Sequence, residues 1–262
     1  MSSSQDPFVS YYEKQSESSN TTAQFRAQKE GLLRILGRDG RAVGVRIADI
    51  GCGAGTFSRI WAADGAIVSG IDVNPALVDI ARRRAKSDGL TIDFRTGSAE
   101  TLPWPDRSFD LVMMPELLEH VNQWRQCLSQ AARILDSGGL LYLSTTNRLC
   151  PKQEEFSLPL YSWYPTWLKD RCLARARTDR RHWVQHAEFP ALHWFSPYGL
   201  AAELEQLDLF ALDRFRIWER HSPSLMKRLL GRVAVFIPPL RFVGHVMSPS
   251  TRMIGIKRHI VT

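Results

Sequence analysis

The chain is poor in cysteine and has no long apolar run, and each absence excludes something. Its four cysteines, Cys52, Cys127, Cys150 and Cys172, lie far apart and never form Cys-x-x-Cys, which argues against a zinc knuckle or a disulfide framework and for reduced thiols. Nowhere do about eighteen apolar residues follow one another, as a membrane-spanning helix requires. The amino terminus has no basic patch leading into an apolar stretch, the mark of a secretory signal. Together these absences predict a soluble, cytoplasmic protein. Acidic residues are missing from Arg220 to Thr262, where eight Lys or Arg stand alone, while the whole chain of 262 residues carries +7. The remainder therefore sums to −1. The basic excess is local, and it does not make the chain as a whole a nucleic-acid binder. The length suits one α/β domain with insertions.

What is present concentrates between Arg46 and Ser58. A short apolar strand ends near Asp49 and runs into Gly51, Gly53 and Gly55, and a helix follows. Glycines remove side chains where backbone must pass close to a ligand, and a helix N-terminus attracts a polar group. A second apolar run, Ile67 to Ile71, closes on Asp72 about one βαβ unit downstream. A carboxylate there can accept hydrogen bonds from both hydroxyls of a ribose. The dinucleotide fingerprint Gly-x-Gly-x-x-Gly would need a third glycine at position 56, where the chain has Thr56. The pattern describes a nucleoside site, but not a dinucleotide site.

Around it strand and helix alternate. The sequence predicts strands near 46–50, 67–71, 91–94, 109–114 and 139–145, with helices near 56–64, 75–87 and 121–135, the arrangement of a parallel sheet covered on both faces. Asn74 and Pro75 suit a helix start, and Gly138 and Gly139 a helix-to-strand return. Residues 1–44 read as an N-terminal tail and a cap helix. The tail is polar and Ser-rich, interrupted by Phe8, Tyr11 and Tyr12, and suits closure over the site. The helix would be capped by Thr21 or Thr22 and run to Leu36. Residues 45–262 form the main domain.

Beyond Asn147 the alternation breaks. An insertion over 148–196, punctuated by Pro151, Pro159, Pro165 and Pro190, precedes a helix from Pro197 to about Leu209. Ten of the chain's 26 aromatics fall between Phe156 and Tyr198. Such density suits a satellite core, a lid over an apolar or aromatic ligand, or both. A strand is expected over Ala211–Glu219 and another over Met253–Val261. Between them, residues 224–247 mix large apolar side chains with Lys227, Arg228, Arg232 and Arg241. Pro238, Pro239 and the charges keep this segment from spanning a bilayer. It can lie in a membrane interface, or it can pack as an ordinary surface helix.

Asp49, the glycine triplet and Asp72 resemble motif I and the ribose site of class I S-adenosylmethionine (SAM)-dependent methyltransferases of the type-11 group. Three further stretches fit. Gly97, Ser98, Ala99 and Glu100 match the segment beside the adenine; Ser98 stands where an acidic residue is common, and Ala99 would offer its backbone N–H. Met113, Met114 and Pro115 lead into Glu119, His120 and Val121, similar to a signature of small-molecule methyltransferases. By that resemblance Met114 flanks the methionine part of SAM. His120 either takes the proton from an attacking phenol or enol or orients the start of the next helix.

Ser144 to Arg148, followed after the insertion by His193, Trp194, Ser196 and Pro197, is similar in order to ubiquinone-biosynthesis O-methyltransferases. The class I resemblance covers about 45–215. It implies a Rossmann-like, doubly wound, mostly parallel seven-stranded sheet with an aromatic-rich cap insertion after strand five. It also implies SAM as cofactor and methyl transfer to an oxygen of a small apolar or aromatic acceptor, quinone-like or lipid-like. Two alternatives stay open: an RNA methyltransferase using the basic C-terminal surface, and a SAM-binding subunit without turnover. His182 and His186, with Cys172 and His193 nearby, have a spacing that metal ligands use, but five arginines between 171 and 181 oppose a cation, so no metal is expected. Arg26 and Lys29 either reach the SAM carboxylate or line a solvated helix face. No feature of the sequence fixes an oligomeric state.

Overall fold

The computed structural model describes residues 13, 15–38, 40–152, 156–183 and 191–258. The chain divides into two compact units, one of residues up to 114, 125–142 and from 256, the other of residues 115–124 and 143–255. Seven strands form a mostly parallel sheet in the order β3-β2-β1-β4-β5-β7-β6. They are β1 (Arg46–Ile50), β2 (Ile67–Asp72), β3 (Asp93–Thr96), β4 (Phe109–Pro115), β5 (Leu135–Thr146), β6 (Leu209–Asp213) and β7 (Ser250–Lys257).

In the first unit β1 is an apolar run with Ile47, Ala48 and Ile50 fully buried, as expected of a central parallel strand. Its register sets Asp49 opposite Gly70 of β2 and Met113 of β4. Arg46 opens the strand by bridging Asp110 and Asp136 at 2.6 and 2.8 Å. The helices of this unit are α1 (Ser19–Ile35), α2 (Thr56–Ala62), α3 (Pro75–Ser87) and α4 (Trp124–Ile134). α1 starts earlier than predicted because Ser18 Oγ, rather than a threonine, accepts from Thr21 N. It lays Phe25 on Phe57 of α2, stacked at 4.5 Å. Asn74 caps α3 as expected, accepting from Ala76 N and Leu77 N.

Gly138 and Gly139 do not end a helix. They lie within β5, which follows α4 directly, and a Cβ on Gly139 would stand 2.9 Å from Asp110 O. Gly139 therefore marks a close approach of backbones inside a strand, while Gly138 takes a left-handed φ of 76°.

The second unit holds the insertion, built from α5 (Thr166–Thr178) and 3₁₀ turns at Tyr161–Trp163 and Arg181–Trp183. Phe156, Tyr161, Cys172 and Ala176 form its own small core, so the aromatic density does make a satellite core. Helix α6 (Pro197–Gln206) is capped by Ser196 Oγ. The strand expected over Ala211–Glu219 is mostly helix: β6 stops at Asp213, and α7 (Arg214–His221) begins there. Asp213 Oδ1 accepts from Arg216 N at 3.0 Å, an N-cap that ends the strand. The basic apolar segment forms α8 (Leu225–Phe236) and α9 (Pro238–Val246), bent by 115°. β7 starts at Ser250, three residues before the expected strand. Phe8, Tyr11 and Tyr12 of the tail, Pro190 and His186 of the insertion and the last residues of the predicted final strand lie outside the described residues.

Candidate functional site

Leaving β1, the loop takes a left-handed backbone at all three glycines, with φ of 78° at Gly51, 51° at Gly53 and 76° at Gly55. That conformation is strained for any residue with a Cβ. Gly51 N and Cys52 N both donate to Ile71 O, at 2.8 and 3.1 Å, locking the loop onto the end of β2. Gly53 N donates to Asp72 Oδ2 at 2.9 Å, and Asn74 N to Asp72 Oδ1 at 2.9 Å. Each carboxylate oxygen keeps a further lone pair, and Asp72 is only half-buried. On its other side Asp72 O accepts from Gly97 N at 2.9 Å, which draws the Ser98–Ala99 turn to the same strand end. Asp72 is thus the joint between the glycine loop and that turn. Helix α2 has Gly55 as its N-cap residue, which offers no side chain to cap the first turn.

Asp49 lies under the loop, 1% exposed. Its Oδ2 accepts from Ser58 Oγ at 2.6 Å, while Oδ1 is buried with no side-chain partner among the described residues. Burial, more than the nearby Asp72 charge, pushes its carboxyl up to about 6, and burial raises Asp72 as well. A buried acid with an unmatched oxygen suits a cationic ligand. The amino and sulfonium groups of SAM are cations, so these residues fit that cofactor. Ser98 Oγ accepts from Glu100 N at 3.1 Å, which occupies one lone pair and leaves its proton to donate. Ala99 is half-buried. Met114 is fully buried on β4, one residue past the pair that Met113 makes with Asp49. All eight cofactor residues expected from the sequence belong to the first unit. Lys29 does not face a cofactor carboxylate: it is buried and ion-paired to Asp64. Arg26 is exposed.

His120 belongs to the second unit, half-buried at the end of the 3₁₀ turn Leu118–His120. Its neighbour Glu119 is fully buried. Glu119 Oε2 accepts from Thr145 Oγ1 at 2.8 Å and Oε1 has no partner among the described residues. Burial, reinforced by the Glu116 carboxylate, raises its carboxyl well above the usual range. Glu116 itself holds φ at 48°, a strained position for a residue with a side chain. The carbonyl of Glu119 accepts from Leu192 N and His193 N. Burial lowers the His193 imidazole, whose ring bonds backbone at Val121 and Asn122. Sequence reasoning named Glu119 only as part of a signature. What makes it distinctive, an unmatched buried oxygen, has no sequence signal.

The insertion encloses a cavity of about 810 Å3 whose walls include Tyr161, Trp163, Trp194 and Phe195, together with Arg148 and Lys169. Leu225 and Phe236 on α8 and Met247 just after α9 are 78%, 86% and 77% exposed. Arg241, expected to face outward with the other cations, instead reaches buried Asp213 at 2.8 Å, and His245 Nε2 lies 2.7 Å from the same oxygen. Among the described residues no single helix is long and apolar enough to cross a membrane. Among them too, no three His, Cys, Asp or Glu side chains gather as a metal set. His186 of the spacing noted above is not among them.

Residues 48–143 match the family described as "Methyltransferase domain". A ubiquinone biosynthesis O-methyltransferase from Cereibacter sphaeroides is 39% identical over 125 residues, 48% of this chain and 50% of that protein. The chain spans about half the length of the curated relatives it matches. Among solved structures, the YcgJ protein from Bacillus subtilis superposes with a TM-score of 0.56 at 20% identity, covering 89% of this chain and all of that one. A putative sarcosine dimethylglycine methyltransferase from Galdieria sulphuraria gives 0.56 at 16% identity, covering 92% and 85%. At these identities the two structures establish the fold.

Proposed function

We propose that this chain, whose residues 48–143 match a methyltransferase domain, moves a methyl group from SAM to an oxygen of a small apolar or aromatic acceptor of the quinone kind. The observation that carries the reading is Asp72, hydrogen-bonded at once to Gly53 N of the loop and, through its carbonyl, to Gly97 N before the Ser98 turn. That arrangement suits a nucleoside, with the Asp72 carboxylate on the ribose hydroxyls, Ser98 and Ala99 beside the base, and Asp49 and Met114 toward the amino-acid end. When bound, SAM supplies a methyl group activated by a sulfonium. Gly51, Gly53 and Gly55 admit it close to the backbone. The sequence resemblance gives His120 the role of taking the proton that the acceptor hydroxyl releases as its oxygen is methylated. Much of the rate then comes from orientation.

The acceptor class rests on the curated relatives, which are named for ubiquinone biosynthesis. The test is incubation of the purified chain and labelled SAM with a lipid-plus-polar extract, followed by identification of the labelled product. A labelled quinol or phenol ether is the expected result. Label in RNA would replace it with the nucleic-acid reading, and no label at all would leave a binding subunit.

For a partner we infer an anionic membrane surface, met by α8 and α9. Leu225, Met226, Leu229, Leu230 and Phe236 on α8 are each more than half exposed, beside exposed Lys227, Arg228 and Arg232. Exposed apolar side chains rimmed by cations are what an interfacial helix presents. Flotation with phosphatidylglycerol vesicles is expected, lost in the L225S/F236S variant. Failure of the native chain to float would end this reading.

A further inference from the structure

Among the described residues, the cavity of the insertion is lined by two cations, Lys169 and Arg148, beside its aromatic walls. Lys169, one turn into α5, donates from Nζ to Ser162 O at 3.0 Å and lies over the Trp194 ring at 4.0 Å. Ser162 is fixed in turn by a hydrogen bond to Cys150 O. Tyr161, whose ring centroid is 5.8 Å from Nζ, forms the second aromatic wall. One carbonyl and a ring face leave an ammonium with donor capacity to spare.

Among the described residues, the other charged groups lining the cavity are Arg148, which follows β5, and Asp170, next to Lys169 on the helix. Neither cation is ion-paired among the described residues, and Asp170 is exposed. His193, also in the wall, is held below its usual range by burial and is neutral at mildly alkaline pH. Burial, then repulsion from Arg148, brings the Lys169 ammonium down to about 8. Among the described residues, two like charges therefore line an aromatic cavity that has one exposed carboxylate in its wall. Its volume suits an organic molecule of drug size.

We propose that this cavity binds a flat organic acid, its anionic group seated against Lys169 and Arg148 and its ring against the exposed indole of Trp163. Where that ligand is the methyl acceptor, the inference rests on the methyl-transfer reading and gives the acceptor a charge. Binding itself needs no cofactor, so it succeeds or fails separately.

The probe is 2-naphthoate, titrated calorimetrically into the full chain without SAM, against neutral 2-naphthalenemethanol and inorganic phosphate. Naphthoate should bind at least about tenfold more tightly than either, since a charge-assisted contact is roughly twice as strong as a neutral one. At pH 8.5 the complex should take up a proton, read as a binding enthalpy that changes with the ionisation enthalpy of the buffer, because the anion restores the Lys169 charge. K169R should keep the affinity and lose the proton uptake; K169M should lose the preference for the acid. Equal affinity for acid and alcohol would overturn the proposal, as would phosphate binding as tightly as naphthoate. So would native binding without proton uptake, an outcome that does not depend on whether either variant folds.

Discussion

Replacing Gly55 by alanine should destabilise the protein by an amount the local geometry sets. The backbone at Gly55 has φ of 76°, and a Cβ there would stand 2.8 Å from Ala81 Cβ, 2.8 Å from Phe94 Cζ and 3.3 Å from Ala81 Cα. Left-handed backbone costs a residue with a Cβ roughly 1–2 kcal/mol. Forcing a methyl group into a filled space costs about 1–3 kcal/mol more. Neither neighbour yields easily, since Ala81 is helix backbone and side chain together and Phe94 is buried in the cluster with Cys52 and Val78. The sum is about 2–5 kcal/mol, or a fall in Tm of roughly 5–20 °C for a chain of this size. Gly31 is the control: it sits in α1 at ordinary helical φ with nothing within 4 Å of a Cβ. G31A should therefore be neutral or stabilising, by up to about 1 kcal/mol. Thermal melts of the three proteins decide the matter. A G55A melt within about 1 °C of the native chain would refute the claim that glycine is required at this turn.

Two further outcomes follow from buried acids. Asp49 has a folded-state carboxyl near 6, so its ionisation costs folded stability as pH rises from about 4 to about 6, on the order of 3 kcal/mol. D49N should remove that dependence from urea midpoints. SAM affinity should fall as pH drops through about 6 in the native chain and stay flat in D49N; an equally flat native profile would count against Asp49 meeting a cationic group. Asp213 is held down to about 2 by its bonds to His245 and Arg241 against the cost of burial. Its contribution is present above about pH 4 and lost as pH falls toward 2. D213N leaves Arg241 without its ion partner and should cost about 3 kcal/mol in urea denaturation; a loss under about 1 kcal/mol would show that this cluster does not hold α9.

The alternating core of the chain was legible because its signals are local. A glycine triplet, an acid at a strand end and the Asn74–Pro75 start each act within a few residues, and β1, β2 and α3 fall where expected. The stretch after Asp213 misled for a physical reason. Its alternating cations and apolar residues have the period of a strand, but Phe215 is buried and Asp213 caps the following turn, so tertiary packing prevails over pattern. The glycine pair in β5 looked like a helix end, yet Gly139 answers to the backbone of Asp110, which sequence distance hides.

The candidate site divides the same way. Asp72 and the loop could be read as a pair because their spacing is that of one structural unit. The unmatched oxygen of Glu119, the inward turn of Arg241 and the desolvated Lys169 arise from contacts among segments far apart in sequence, and no spacing rule reaches them.

The central claim is that Asp72 and the glycine loop hold SAM, and calorimetric titration of SAM into native and D72A protein tests it most directly. Saturable heat is expected for the native chain and none for D72A, with circular dichroism and the melt showing that the variant still folds. Unchanged SAM affinity in folded D72A would contradict it.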